Sequence, residues 1–260
     1  MSLPSFDKIL ESEFRNYEIS KKRYEDIITW GERLKEILCV RHIKDSDGVI
    51  ELTMLTNIIG NAFITAILLT MKCHVFHAYS VTRLGVEAFI QLTIIELNFG
   101  ENLKVWRDFN YLKSHTDEWN RAKNDYNDVF RKKRKSYDYS RIIDDDERNE
   151  IVSRWNMLSE VGSHVNFIQT LFSFSVIETP ENIEILSGIF DITDAKENHM
   201  ARYLIWMIDT YFIISKTVSK ILESHDLALW RSCDEIERLW SEWIEFKVKK
   251  AAEFGFSRQE

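Results

Sequence analysis

The sequence predicts an all-α protein, a multi-helix bundle of long helices with one small β-hairpin inserted at about residues 171–190. Three observations carry this reading. The 260 residues include only 2 prolines and 8 glycines, too few for the many tight turns of a sandwich or barrel. Apolar residues recur every three or four positions along most of the chain, the period of a helix with one buried face. Near the hairpin the pattern changes: Leu171–Ile177 alternates apolar with polar, Pro180-Glu-Asn182 supplies a turn, and Ile183–Phe190 is apolar-rich again.

In chain order, Phe6, Leu10, Phe14, Tyr17, Tyr24, Ile27, Leu34 and Leu38 mark one long amphipathic helix over 6–38. Lys44–Gly48 is a polar loop, and Ile50–Met71 is an apolar helix. Its segment Leu52–Met71 is 20 residues without a charge, about the length that crosses a bilayer. Thr53, Thr56, Asn57, Asn61, Thr65 and Thr70 recur at near-helical spacing within it, which favours a core helix with a polar seam over a membrane span. A third helix runs from Val75 to Asn98 and is ended by Gly100. Glu101–Lys135 is more polar but rich in aromatic residues, a helical excursion with a break inside it. Asp144–Glu147 places acidic residues where a helix N-terminus favours them, and Gly162 is the expected stop of the helix that follows. Asp194 caps a long helix reaching about His225, and Leu227–Ala252 forms the last. All of this reads as a single domain over 1–260, with its core at about 50–225 and the helices 6–38 and 227–252 packed on it.

The net charge of −8 excludes a protein built throughout to coat nucleic acid, although a local basic patch survives within it. Cys39, Cys73 and Cys233 are odd in number and far apart, which excludes a disulfide framework and points to the cytoplasm. No signal sequence is visible. Neither a Gly-x-Gly-x-x-Gly nor a phosphate-binding loop ending in Gly-Lys is present, and no cofactor is expected.

Candidate chemistry gathers at three places. On the third helix Arg83 and Glu87 are the only charges between Val75 and Ile95; four residues apart, they share one polar stripe with Ser80, Gln91 and Asn98. Its two readings are a routine helix ion pair and a pair set in a cleft. Ser159, Ser163, His164 and Asn166 cluster at a helix end, where His164 either moves a proton or caps a neighbouring helix. The run Arg131, Lys132, Lys133, Arg134 and Lys135 is the strongest concentration of charge. From Arg121 to Arg141 eight basic residues stand against three acidic ones, interleaved with Tyr126, Phe130, Tyr137 and Tyr139. Such a mixture suits single-stranded RNA, and equally a solvated helix end. His74 and His77 share a helical face but lack the further ligands of a metal site, so no metal is expected. Trp230, Trp240 and Trp243 in the last helix serve as core or as a partner's anchor.

The helix Ala78–Phe89, with its Arg-x-x-x-Glu, and the distant Leu158–His164 together resemble a group of uncharacterised bacterial all-helical proteins. The likeness spans about residues 50–225 and extends distantly to the HEPN proteins, which include ribonucleases and components of toxin and phage-defence systems. Their signature, an Arg and a His four to six residues apart on one helix, is missing, because ten positions separate Arg154 from His164. The resemblance implies a helical interaction or regulatory module in bacterial defence or stress, with a protein partner or a second copy. The alternative is a HEPN-like ribonuclease or nucleotide-binding enzyme using Arg83, Glu87 and His164. In that case His164 acts as acid or base and Arg83 clamps a phosphate.

Overall fold

The computed structural model describes residues 5–38, 40–42, 47–132, 143–163, 174–178, 183–187, 194–229 and 231–254. Among them the helices are α1 (Phe6–Arg23), α2 (Glu25–Ile37), α3 (Val49–Met71), α4 (Val75–Leu97), α5 (Phe99–Tyr111), α6 (Asp117–Tyr126), α7 (Asp145–Ser163), α8 (Asp194–Ser224) and α9 (Cys233–Glu253). A π-helical turn, Asn127–Arg131, continues α6. The fold is an all-α bundle: α3 and α4 pack side by side, α7 lies along α4, and α8 is a central helix touching α2, α3, α4, α7 and α9. Short strands accompany it: β1 (Val40–His42), β2 (Phe174–Glu178), β3 (Ile183–Ser187) and β4 (Ala228–Leu229). Strands β2 and β3 pair antiparallel, with Val176 opposite Ile185, and residues 179–182 between them lie outside the described residues. Strands β1 and β4 pair across 188 positions of sequence, Val40 opposite Leu229 and His42 opposite Ala228, a ladder that no local pattern announces.

Several expected boundaries move. The single helix over 6–38 is two helices, because Tyr24 leaves helical geometry (φ −112°, ψ 23°) while its N–H still reaches Ser20 O at 2.9 Å. No proline or glycine causes the break. Tyr24 is buried and packs on Phe254 beyond the end of α9, so tertiary burial decides it. Gly100 does not end α4; Asn98 does (φ −151°, ψ 75°), and Gly100 sits in α5 with open space around it. Helix α7 is described as far as Ser163, one residue past its expected stop at Gly162. The last helix begins at Cys233 rather than Leu227, with Ser232 and Glu235 forming a capping box.

Two helices end in Schellman turns built without glycine. After α3, His74 N–H donates to Leu69 O at 2.8 Å and Cys73 N–H to Thr70 O at 2.9 Å, with Cys73 at φ 67°. After α8, Leu227 N–H donates to Leu222 O at 2.8 Å and Asp226 N–H to Glu223 O at 3.2 Å, with Asp226 at φ 58°. Leu227 is then buried and the chain passes into β4, which is why helix α9 starts late.

Helix α3 is long and apolar enough to cross a membrane by length and composition alone. In the bundle its inner face, Leu52, Leu55, Ile59, Phe63 and Ala66, is buried. Asn57, Asn61 and Thr65 form the polar seam on its outer side. Buried Thr56 and Thr70 donate to carbonyls one turn back, both at 2.8 Å, so the low charge of the helix leaves these hydroxyls satisfied.

At the centre of the bundle α3, α4 and α8 meet at Gly85, where a Cβ would lie 2.4 Å from the Tyr211 hydroxyl and 3.0 Å from Ala62 Cβ. Tyr211 is fully buried and its hydroxyl has no hydrogen-bond partner among the described residues. An unsatisfied buried hydroxyl costs about 1–3 kcal/mol of desolvation. Tyr211→Phe is therefore expected to raise stability by about 1 kcal/mol and to lessen the damage of Gly85→Ala. Urea denaturation of the two single variants and the double variant measures both; a destabilised Tyr211→Phe contradicts the account.

Candidate functional site

Helix α4 positions Arg83, Glu87 and Gln91 at successive four-residue steps, so the three side chains share one face. Arg83 Nε donates to Glu87 Oε1 at 3.0 Å, and each side chain is 27% exposed. That places the pair at a cleft wall rather than in bulk solvent. Trp155 of α7 donates its indole N–H to the same Glu87 oxygen at 3.4 Å, and Trp106 of α5 donates to Gln91 Oε1 at 2.8 Å. Indole donors from two neighbouring helices thus hold the acceptors on this face in fixed positions.

Across from α4 stands the π-helical turn. The face of α4 and this turn enclose a cleft of about 460 Å³ lined by Arg83, Glu87, Ile90, Gln91, Ile94, Tyr126, Phe130 and Arg131. A π turn closes its hydrogen bonds five residues apart, so residues four apart come nearly into line. Tyr126 and Phe130 accordingly stack, with ring centroids 4.6 Å apart and planes 15° from parallel. Phe109 stacks on Tyr126 at 4.3 Å and on Trp119 at 5.8 Å, making a ladder of four rings that runs from α5 and α6 to the cleft. Lys123 lies over the Trp119 ring at 5.1 Å. The cleft therefore combines a guanidinium pinned by a carboxylate, an exposed guanidinium at the rim, and flat rings at the floor.

Of the residues expected to act, Arg83 and Glu87 meet and Arg131 lines the same cleft. Lys132 points elsewhere, to an exposed pair with Asp128 at 2.8 Å. Lys133, Arg134, Lys135 and His164 lie outside the described residues. Ser159 donates to Trp155 O, one turn back on its own helix, at 2.8 Å. Asn98, expected on the stripe, instead donates to Glu101. His74 Nε2 lies 2.9 Å from Glu13 Oε1, which anchors α1, and among the described residues no cluster of three metal-ligating side chains forms. Trp243 is fully buried and Trp240 partly so, while Trp230 lies outside the described residues.

Sequence reasoning missed a buried ionic cluster between α7, α8 and α9. Arg154, with an 8% exposed side chain, donates from Nη1 to Trp206 O and Thr210 Oγ1, each at 2.6 Å, and pairs through Nη2 with Glu150. Asp209 accepts from Trp243 Nε1 at 2.6 Å and from Lys247 Nζ at 2.9 Å, with Arg154 Nη2 at 3.8 Å. A signal existed, since Asp209 is the only charge between Arg202 and Lys216. Nearby, between α4 and α8, Thr82 Oγ1 and Tyr203 Oη lie 2.5 Å apart, and Tyr79 Oη faces His199 Nε2 at 3.3 Å. Burial pushes the Tyr79 phenol up; burial, and then Arg202, push the His199 imidazole down, so both favour their neutral forms. Comparison with known protein families, curated proteins and solved structures gave no match.

Proposed function

We propose that this chain is a cytoplasmic helical binding and regulatory module, of use in bacterial defence or stress, and that its working site is the Arg83 cleft. One observation carries the reading: the Arg83–Glu87 pair and Arg131 share a cleft with the stacked rings of Tyr126 and Phe130. Guanidinium groups bind phosphate, and the edges of Tyr126 and Phe130, whose faces are taken up by their own stack, line the cleft beside them, so the ligand best suited is a nucleotide unit, free or within single-stranded RNA. Glu87 supplies an acceptor for a base or ribose donor and keeps Arg83 from collapsing across the opening. Buried Ile90 and Ile94 back a cleft whose open surface is mainly polar.

Fluorescence anisotropy with a short single-stranded RNA, its duplex form and ATP tests this. Single strands are expected to bind with affinity that falls steeply with salt. Tyr126→Ala is expected to weaken binding about tenfold or more, and Arg131→Ala to weaken it while flattening the salt dependence. Binding that ignores both substitutions contradicts the proposed site. A second reading is ribonuclease action at the same cleft with His164, which lies outside the described residues, as acid or base. Loss of RNA cleavage in His164→Ala with binding retained supports it; binding without cleavage leaves the module reading.

A further inference from the structure

The Arg83 cleft is lined by hydrogen-bond donors that the protein itself leaves unused. Arg83 spends its Nε–H on Glu87 at 3.0 Å, and its two terminal nitrogens meet no acceptor among the described residues. Arg131, the last residue of the π turn, forms no ion pair among the described residues, whereas Lys132 beside it is paired with Asp128 at 2.8 Å. Gln91 adds a donor whose direction its neighbour settles. An indole N–H can only donate, so the Gln91 atom 2.8 Å from Trp106 Nε1 is the carbonyl oxygen. The amide NH2 is then the end left for a ligand, and it too meets no acceptor among the described residues. Trp155 acts in a similar way on Glu87, donating to the oxygen that already receives the Arg83 Nε–H, so this carboxylate oxygen is spent inside the protein.

Such a set of donors fits one chemical group better than its rivals. A phosphodiester inside a strand carries one charge and two unesterified oxygens, while a terminal phosphate carries about −2 at neutral pH and three strong acceptor oxygens. Two guanidinium groups and an amide NH2 on one cleft exceed what a diester or a carboxylate can use, and they match a terminal phosphate. Glu87 does not reverse this preference, because it and Arg83 form a pair of no net charge and Arg131 leaves the cleft net positive. The whole chain carries −8, which repels a strand laid across its surface. A mononucleotide or a strand end escapes most of that repulsion by entering only the cleft. Resting on the nucleotide reading of this site, we infer that the group it holds is a terminal phosphate, carried by a mononucleotide or by the end of a strand, and that Gln91 is a specificity-determining residue for it.

Fluorescence anisotropy tests the inference with internally labelled single-stranded RNA of one sequence, ending in a 5′-phosphate, a 3′-phosphate or hydroxyls only. A phosphate-ended strand is expected to bind about tenfold more tightly than the hydroxyl-ended one, the gain from added hydrogen bonds to a charged group. Adenosine monophosphate displaces it if the phosphate of a mononucleotide suffices, and fails to if a strand end is required; adenosine is expected to have no effect. Gln91→Glu keeps an acceptor for Trp106 but replaces the NH2 by a carboxylate, so it is expected to erase the preference for the phosphate while circular dichroism stays helical. Arg131→Ala, at an exposed position, is expected to reduce the preference and keeps the test open should Gln91→Glu unfold. Equal binding of all three strands, still weakened by Tyr126→Ala, overturns the inference and leaves the nucleotide cleft standing. So does a preference for the phosphate that survives both substitutions undiminished. Absence of binding by every strand and nucleotide overturns the nucleotide reading, and the inference with it.

Discussion

Asp209→Ala is expected to remove about 3–5 kcal/mol of stability, the range seen when one partner of a buried charge cluster is deleted. Asp209 is 7% exposed and holds three positive or donating groups from two other helices. Without its carboxylate the Trp243 indole N–H loses its acceptor, and the Lys247 ammonium loses both oxygens that hold it. Arg154 keeps Glu150, Thr210 and the Trp206 carbonyl, so the damage falls chiefly on α9. A domain of ordinary stability, about 5–15 kcal/mol, cannot absorb such a loss without a large fall in melting temperature. Asp209→Asn keeps the shape and one acceptor for Trp243, so it is expected to fall between the parent and Asp209→Ala. Urea denaturation measures the loss, and hydrogen exchange is expected to show α9 opening first. A loss under about 1 kcal/mol contradicts a clamping role, because removing an ordinary surface ion pair already accounts for that much.

Glu51→Ala is expected to cost about 3 kcal/mol, the upper range for hydrogen bonds to a charged group. Glu51 lies in the first turn of α3 with a 4% exposed side chain, and Arg107 of α5 binds it through two donors, at 2.6 and 3.0 Å. Tyr111 Oη adds a third bond at 3.1 Å, and Arg107 also reaches Asp47 at 2.8 Å. The carboxylate therefore ties the start of α3 to α5, and α5 carries Phe109 of the aromatic ladder. The same contact gives a pH dependence. The Arg107 hydrogen bonds, ahead of every other influence, hold the Glu51 carboxyl below the usual carboxylate range. A group whose folded pKa is depressed contributes stability that is fully present above its unfolded value, about 4.3, and is lost as pH falls through the folded value. Thermal melts of the parent chain are thus expected to drop below about pH 4.3, and Glu51→Gln is expected to show a shallower drop over the same window. Identical acid profiles for parent and variant contradict the assignment.

Helices α3, α4 and α8 were legible because their apolar periodicity is a local property of the chain, and so was the alternation around residues 174–187. The Arg83–Glu87 pair was legible for a related reason: two charges four residues apart in a long apolar run share one helical face wherever that helix packs. Tyr126, Phe130 and Arg131 also stood out, but as a basic aromatic segment some forty residues away. Nothing in their spacing said that a π turn would stack two of the rings and set them opposite Arg83. Asp209 was readable as a lone charge in an apolar helix, yet its partners on α7 and α9 were not.

The sequence alone determined the helical class, the run of long helices to within the Tyr24 break, and the helical face that Arg83 and Glu87 share. Each of these depends on contacts within a few turns of chain. Tertiary structure decided where helices stop without glycine, as at Cys73, Tyr24 and Asp226, because buried neighbours there outweigh the small preference of a residue for continuing a helix. It also decided the β1–β4 ladder and the closure of the cleft. Those depend on which faces meet across 40 to nearly 200 residues, and a packing choice made between distant surfaces leaves no periodic mark on either one.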